Sequence, residues 1–328
     1  MSAEPVGFAD TFGRRFYYLR LSITEVCNFR CTYCLPNGYD GPSPSAFLHR
    51  DELVRVMRVF SRHGTRKIRL TGGEPVIRRD LPDLIEDAAS TPGIEQVALT
   101  TNGYLLAENL ERWQAAGLDQ LNLSMDSLDP AQFQAITGHD LLKPILAGLD
   151  KALAMGITTK VNAVYMRGMN DRLGEFLHWL KDTPVTLRFI EVMETGAQPS
   201  FFHDHHVPLT NIKQQLLLEG WQPLVRRSDA GPAQEFWHPD YAGRIGLIMP
   251  YSKDFCTTCN RLRVTAQGKL HLCLFGEEGY DLRPWLQSDD QSEELAEVIQ
   301  HSLGFKAETH GLHEHNPGIT RDLSMLGG

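Results

Sequence analysis

All six cysteines of this chain fall into two sets of three: Cys27, Cys31 and Cys34 in a C-x3-C-x2-C spacing, and Cys256, Cys259 and Cys273 in a C-x2-C-x13-C spacing. The first set lies in Cys-Asn-Phe-Arg-Cys-Thr-Tyr-Cys, compact enough for three thiolates to reach one iron–sulfur cube. Clusters that only carry electrons usually take four cysteine ligands, whereas three leave one iron open to a substrate or cofactor. An open iron implies chemistry. Structural zinc wants a fourth ligand, and the nearest histidine to this triad, His49, lies beyond a Pro/Ser-rich stretch. At the second triad zinc stays open on spacing alone: His271 would complete a Cys3His set and, on a strand, share a face with Cys273. No acidic residue occurs from Cys256 to Cys273, while Arg261, Arg263 and Lys269 do. Arg261 and Arg263, alternate residues of an extended segment, project together and can grip a polyphosphate bidentately. Elsewhere, two arginines on one strand face would more simply meet solvent or a surface carboxylate.

The rest of the composition bounds where such chemistry can happen. Acidic and basic residues number 41 and 32, a formal charge of −9, so no broad basic surface for nucleic acid is expected and an anionic ligand must be held by a local basic cluster. With 328 residues, 42% hydrophobic and 22% charged, the composition is ordinary for one large or two modest globular domains. Residues 1–13 hold no apolar run behind basic residues, and no segment approaches the ~20 apolar residues of a membrane span, so a cytoplasmic protein without a membrane partner is expected. In that reducing compartment cysteines are ligands or catalysts more often than disulfides.

To position the triads, short aliphatic runs recur at 18–24, 67–71, 95–100, 120–124, 159–165 and 186–191. Between them lie segments of helical spacing at 50–63, 81–90, 107–116, 141–155 and 171–181. This is the pattern of a parallel sheet with crossover helices, here an incomplete (βα)6 barrel. Polar and glycine clusters end four strands, at 24–28, 71–75, 100–103 and 124–127, and would converge on one active-site mouth. The rhythm changes after Met193. A helix capped by Thr210 is expected over 209–219, strands and turns over 246–273, a helix over 282–303, and an irregular tail from Gly304. The expected division is therefore 1–192, carrying the first triad, and 193–328, carrying the second triad and closing the open barrel.

The first triad, together with Gly72-Gly73-Glu74-Pro75 after the second strand, resembles the radical S-adenosylmethionine (SAM) superfamily. The resemblance implies a [4Fe–4S] cluster on Cys27, Cys31 and Cys34 with SAM at its open iron. Tyr33, Gly72, Gly73, Glu74, Ser124 and Met193 fall at SAM-contacting positions. Physically, a Gly-Gly turn lets backbone approach a ligand closely, and a carboxylate suits an ammonium group. The second triad around Asn260-Arg261-Leu262-Arg263, with the terminal Gly327-Gly328, resembles the GTP 3′,8-cyclase family of molybdenum cofactor biosynthesis over essentially the whole chain.

That resemblance implies a second [4Fe–4S] cluster on Cys256, Cys259 and Cys273, whose open iron binds the guanine of GTP. The implied GTP contacts are Arg20, Arg69, Thr100, Lys160, Asn260, Arg261, Leu262 and Arg263. The implied catalytic residues are Arg261, Arg263, Gly327 and Gly328, the glycine tail reaching into the site. It also implies a 5′-deoxyadenosyl radical that takes hydrogen from C3′ of GTP before ring closure on guanine C8, with an external one-electron donor. A homodimer and onward transfer to a pyranopterin-forming enzyme follow by the same likeness. The rival readings are another radical SAM enzyme with an auxiliary cluster, such as a peptide-modifying one, and a metal-binding module without catalysis.

Overall fold

The computed structural model describes residues 7–196, 198–225, 230–320 and 323–327. Six parallel strands are built by the expected runs: β1 (Tyr18–Thr24), β2 (Lys67–Gly72), β3 (Gln96–Thr101), β4 (Gln120–Ser124), β5 (Thr158–Tyr165) and β6 (Thr186–Glu191). They alternate with α1 (Arg50–Arg62), α2 (Leu81–Ser90), α3 (Leu106–Ala115), α4 (Pro130–Thr137), α5 (Leu142–Ala154) and α6 (Leu173–Leu180). The sequence pattern missed α4. Its start is marked by Asp129, whose side chain accepts from the Gln132 N–H ahead of Pro130, and its end by Gly138 at φ +79°.

Every residue of β1 is buried, as in a strand covered on both faces. Leu19, Leu21 and Ile23 join the main hydrophobic core beneath the helices. Helix α1 reaches that core with Leu53, Val56, Met57 and Phe60, a one-sided stripe at helical spacing. The alternate residues Tyr18 and Arg20 point the other way, into the interior.

Beyond β6 come α7 (Pro199–His205), α8 (Thr210–Leu218), β7 (Gln222–Pro223), β8 (Gln234–Trp237), β9 (Arg244–Ile248), β10 (Arg261–Val264), β11 (Lys269–His271), β12 (Tyr280–Asp281) and α9 (Ser292–Leu303). The sheet order is β12-β11-β10-β1-β2-β3-β4-β5-β6-β9-β8-β7. Strand β9 pairs parallel with β6 and β10 pairs parallel with β1, so the C-terminal region extends the parallel run at both edges of the six-stranded unit. No ladder joins β9 to β10 among the described residues. The barrel is closed by chain rather than by hydrogen bonds, because the connection 249–260 crosses from one edge to the other.

Three local expectations are corrected. Thr210 is the first helical residue of α8 and makes no capping bond, the cap position being Leu209. The helix expected over 282–303 is α9 alone, since Pro284 and the Ser288–Gln291 capping box break the chain into short turns before it. His271 is the last residue of β11, so Cys273 lies past the strand's end and the shared-face argument does not apply. Among the described residues no helix is long and apolar enough to cross a membrane.

Candidate active site

The two triads stand at opposite ends of the sheet. Cys27 follows the C-terminal end of β1, whereas Cys256 and Cys259 precede the N-terminal end of its parallel neighbour β10. A strand of this length separates them by roughly 20 Å.

The first triad's loop is fixed by backbone. Cys34 and Leu35 N–H groups both donate to the Cys31 carbonyl at 3.0 Å, and Arg30 and Thr32 donate to the end of α4. The Gly72-Gly73-Glu74 turn then locks the loop from the β2 side: Gly73 N–H donates to Thr24 at 3.0 Å and Glu74 N–H to Val26 at 2.8 Å. A Cβ on Gly72 would lie 2.0 Å from the Thr24 carbonyl oxygen, and one on Gly73 2.2 Å from that of Val26. What approaches these glycines closely is therefore the cysteine loop itself. Buried Glu74 accepts from Thr101 Oγ1 (2.8 Å), Asn102 N–H (2.6 Å) and Val76 N–H (3.1 Å), stapling the β2 and β3 loops. Burial outweighs these bonds and pushes its carboxyl up to about 7. Asn102 carries the staple on to Asn28 at 3.0 Å, beside Cys27.

The fourth polar cluster joins through Tyr33, whose hydroxyl donates to Asp126 at 2.9 Å while Asp126 also accepts from Val164 N–H at 2.8 Å. Tyr33 packs on Ile136, Met166, Val192 and Phe202. The four polar strand ends thus converge on one mouth. Ser124 ends β4 half-buried on that side. None of the three cysteines is in a disulfide among the described residues and all are half-buried, which fits a cluster held by thiolates and reached from one side.

The second triad opens onto a cavity of about 100 Å³, which also takes in Arg20, Arg69, Arg188, Arg261, Arg263 and Met193. The register explains the density of charge. Tyr18 on β1 lies between Arg261 and Lys67, and Arg20 between Arg263 and Arg69, so two successive rungs of the sheet turn cations inward. No carboxylate pairs with Arg69, Arg188, Arg261 or Arg263 among the described residues; nearby, Lys160 pairs with Glu235 at 3.0 Å. Burial and then the neighbouring guanidinium of Arg69 push Arg188 down to about 9, and burial and then Arg261 push Arg263 to about 10. Burial would raise the Tyr18 phenol, yet Arg69, Arg20, Lys67 and Arg188 outweigh it and pull it to about 8. Burial would likewise raise Cys259, but Arg261 and Lys306 bring it to about 7, an environment that favours a thiolate ligand.

The tail enters this region. Arg263 Nη1 donates to the Leu326 carbonyl at 2.9 Å and Arg20 donates to that of Gly327. Gly327 sits at φ +64°, where a Cβ would lie 2.3 Å from Thr71 Cγ2, so only glycine fits without displacement. Gly328 lies outside the described residues.

Over the full length the chain is 56% identical to the GTP 3′,8-cyclase of Yersinia pestis, across 98% of this chain and 100% of that one. The chain belongs to the GTP 3′,8-cyclase family. The Aeromonas hydrophila member is 54% identical over 97% of this chain and 95% of its own. Residues 21–180 match the Radical SAM superfamily and residues 185–312 match Molybdenum Cofactor Synthesis C. Streptococcus suis SuiB bound to S-adenosylmethionine shares the fold, with a TM-score of 0.64 at 12% identity over 88% of this chain and 67% of that one.

Against that family pattern the geometry refines several positions. Leu262 packs in the hydrophobic core on the far face of β10, leaving only its backbone toward the cavity side. Asn260 turns its amide to the Ala230 carbonyl at 3.0 Å, and Lys269 is exposed away from the cavity. Thr100 Oγ1 is buried with no partner among the described residues, and so is His271 Nδ1. Sequence reasoning missed Arg188, Lys67 and Glu235. Arg188 was findable as a cation inside Leu-Arg-Phe-Ile-Glu, a run that reads as a strand buried on both faces.

Proposed function

We propose that this chain converts GTP to (8S)-3′,8-cyclo-7,8-dihydroguanosine 5′-triphosphate, the first step of molybdenum cofactor biosynthesis. The observation that carries the substrate is the cavity shared by the second triad and five arginines, four of which have no carboxylate partner among the described residues. A polyphosphate supplies the missing anions, and guanidiniums grip phosphate oxygens in pairs.

When bound, a [4Fe–4S] cluster on Cys27, Cys31 and Cys34 with SAM at its open iron supplies the 5′-deoxyadenosyl radical that takes hydrogen from C3′ of GTP. Tyr33, Gly72, Gly73, Glu74, Ser124 and Met193 hold SAM. Glu74 and Asp126 are buried carboxyls at this end of the barrel, raised by burial, and the ammonium and sulfonium of that ligand would favour their ionised forms. Cys256, Cys259 and Cys273 would hold a second [4Fe–4S] cluster, which would supply an open iron for guanine. Arg20, Arg69, Lys160, Arg261 and Arg263 hold the nucleotide, with Thr100, Asn260 and the Leu262 backbone at its margin. Their main contribution is position, keeping C3′ and C8 in reach of one another while water is excluded. Gly327 brings the tail between the radical and nucleotide sides, and Gly328 is assigned to the same catalytic tail. Residues 1–192 form the partial barrel that carries the first cluster, and 193–328 the region that carries the second cluster and the tail and completes the GTP site. An external one-electron donor, a homodimer, a cytoplasmic setting and a downstream pyranopterin-forming enzyme complete the reading.

The test is anaerobic purification with iron and sulfide measured per chain, then incubation with SAM, GTP and dithionite. About eight irons, with 5′-deoxyadenosine and the cyclised nucleotide rising together, are expected. Deoxyadenosine without a GTP-derived product would overturn the substrate, and zinc without sulfide would overturn the chemistry.

A further inference from the structure

The charged cavity has a neutral organiser. Asn122 on β4 is fully buried, and its Oδ1 accepts from Arg188 Nη2 at 2.6 Å, Arg69 Nη2 at 3.1 Å and Gln120 Nε2 at 3.0 Å. Its Nδ2 donates to the Leu99 carbonyl at 3.1 Å, which fixes the amide's orientation: the carbonyl needs a donor, the three N–H groups an acceptor. Gln120, two residues away on the same face, turns its Oε1 to Lys67 Nζ at 3.3 Å. Three cations from β2 and β6 are therefore held by two amides of β4. The Nε atoms of Arg69 and Arg188 are buried without partners among the described residues, so each guanidinium keeps donors free.

We propose that Asn122 is a positioning residue for the nucleotide's phosphates: by accepting from Arg69 and Arg188 at one oxygen it fixes the two guanidiniums as a preset clamp without cancelling their charge. The proposal rests on reading this cavity as the GTP site and assigns the clamp's geometry to a residue that the nucleotide does not touch. An aspartate here would orient the same pair but cancel one of its two charges, and an alanine would leave two buried like charges free to separate. A neutral acceptor does neither.

The test is anaerobic calorimetric titration of the cluster-loaded protein with GTP, using Asn122→Ala, Arg188→Ala and the double variant, each checked by iron content and thermal unfolding. Asn122→Ala is expected to weaken GTP binding roughly tenfold in the parent and to add little in the Arg188→Ala background, because its effect travels through that arginine. Fully additive losses, or an unchanged parent affinity, overturn the role of Asn122 and leave the GTP reading intact. GTP binding unaffected by Arg188→Ala removes the cavity reading and the proposal with it. Should the alanine variant fail to fold, Asn122→Asp carries the test: weaker GTP binding at unchanged iron content is expected, and unchanged affinity overturns the need for a neutral acceptor.

Discussion

The two cysteine triads share a residue type and little else. The first sits among carboxylates and backbone: burial drives the Cys27 thiol up to about 11, with Glu74 adding to the rise, and the loop is registered by main-chain bonds to a Gly-Gly turn. The second sits among cations, where Arg261 and Lys306 bring Cys259 to about 7. One end of the barrel is prepared for a ligand carrying positive charge, the other for one carrying negative charge. On the proposed reading, two clusters of one type do different work because the groups beside them differ in sign.

The comparison breaks most sharply at the cysteines. Cys27→Ala should abolish 5′-deoxyadenosine and cyclised nucleotide alike, whereas Cys273→Ala should lower iron by about four per chain and abolish only the nucleotide product. Equal loss of both products in both variants would erase the division of labour.

Next in size is the cationic rung. Arg261→Ala or Arg263→Ala should leave the clusters in place and lower kcat/KM for GTP on the order of a hundredfold, with SAM affinity unchanged. Unchanged turnover in both variants would refute the nucleotide role.

The glycines sharpen the contrast in backbone. Gly73→Ala sets a Cβ against the Val26 carbonyl and should cost on the order of 3 kcal/mol, read as a lower denaturation midpoint and poor loading of the first cluster. Gly327→Ala crowds Thr71 in the tail and should slow turnover while leaving the melting temperature nearly unchanged.

The smallest effect is a pH dependence. Glu74 titrates near 7 when folded, above its ordinary 4.5, so folding favours its neutral form. Its contribution is fully present below about 4.5 and is lost as pH rises through about 7. In the SAM-free protein, Glu74→Gln should flatten the fall in melting temperature between pH 5 and pH 7; an unchanged slope would show that the carboxylate is ionised throughout.

Much of this site was legible residue by residue. Cysteine spacing is a chain property, and so is the strand alternation that sends Arg261 and Arg263 to one side while Leu262 goes to the other. Strand ends marked by Thr, Ser, Asn and Gly announced the mouth, because such residues stop a buried ladder. Arg188, Lys67 and Asn122 were not legible in the same way. Each looks like an ordinary polar residue of a strand, and its meaning depends on neighbours contributed by other strands.

The sequence by itself determined the six-strand rhythm, the two triads and the absence of acidic residues from Cys256 to Cys273, since periodicity, spacing and charge are all local. Only the tertiary structure decided that β9 and β10 join opposite edges of the sheet, that the Gly-Gly turn meets the cysteine loop's own backbone, and that five arginines from four strands face one cavity. Strand pairing brings together residues up to hundreds of positions apart, and the balance of burial against charge exists only once they meet.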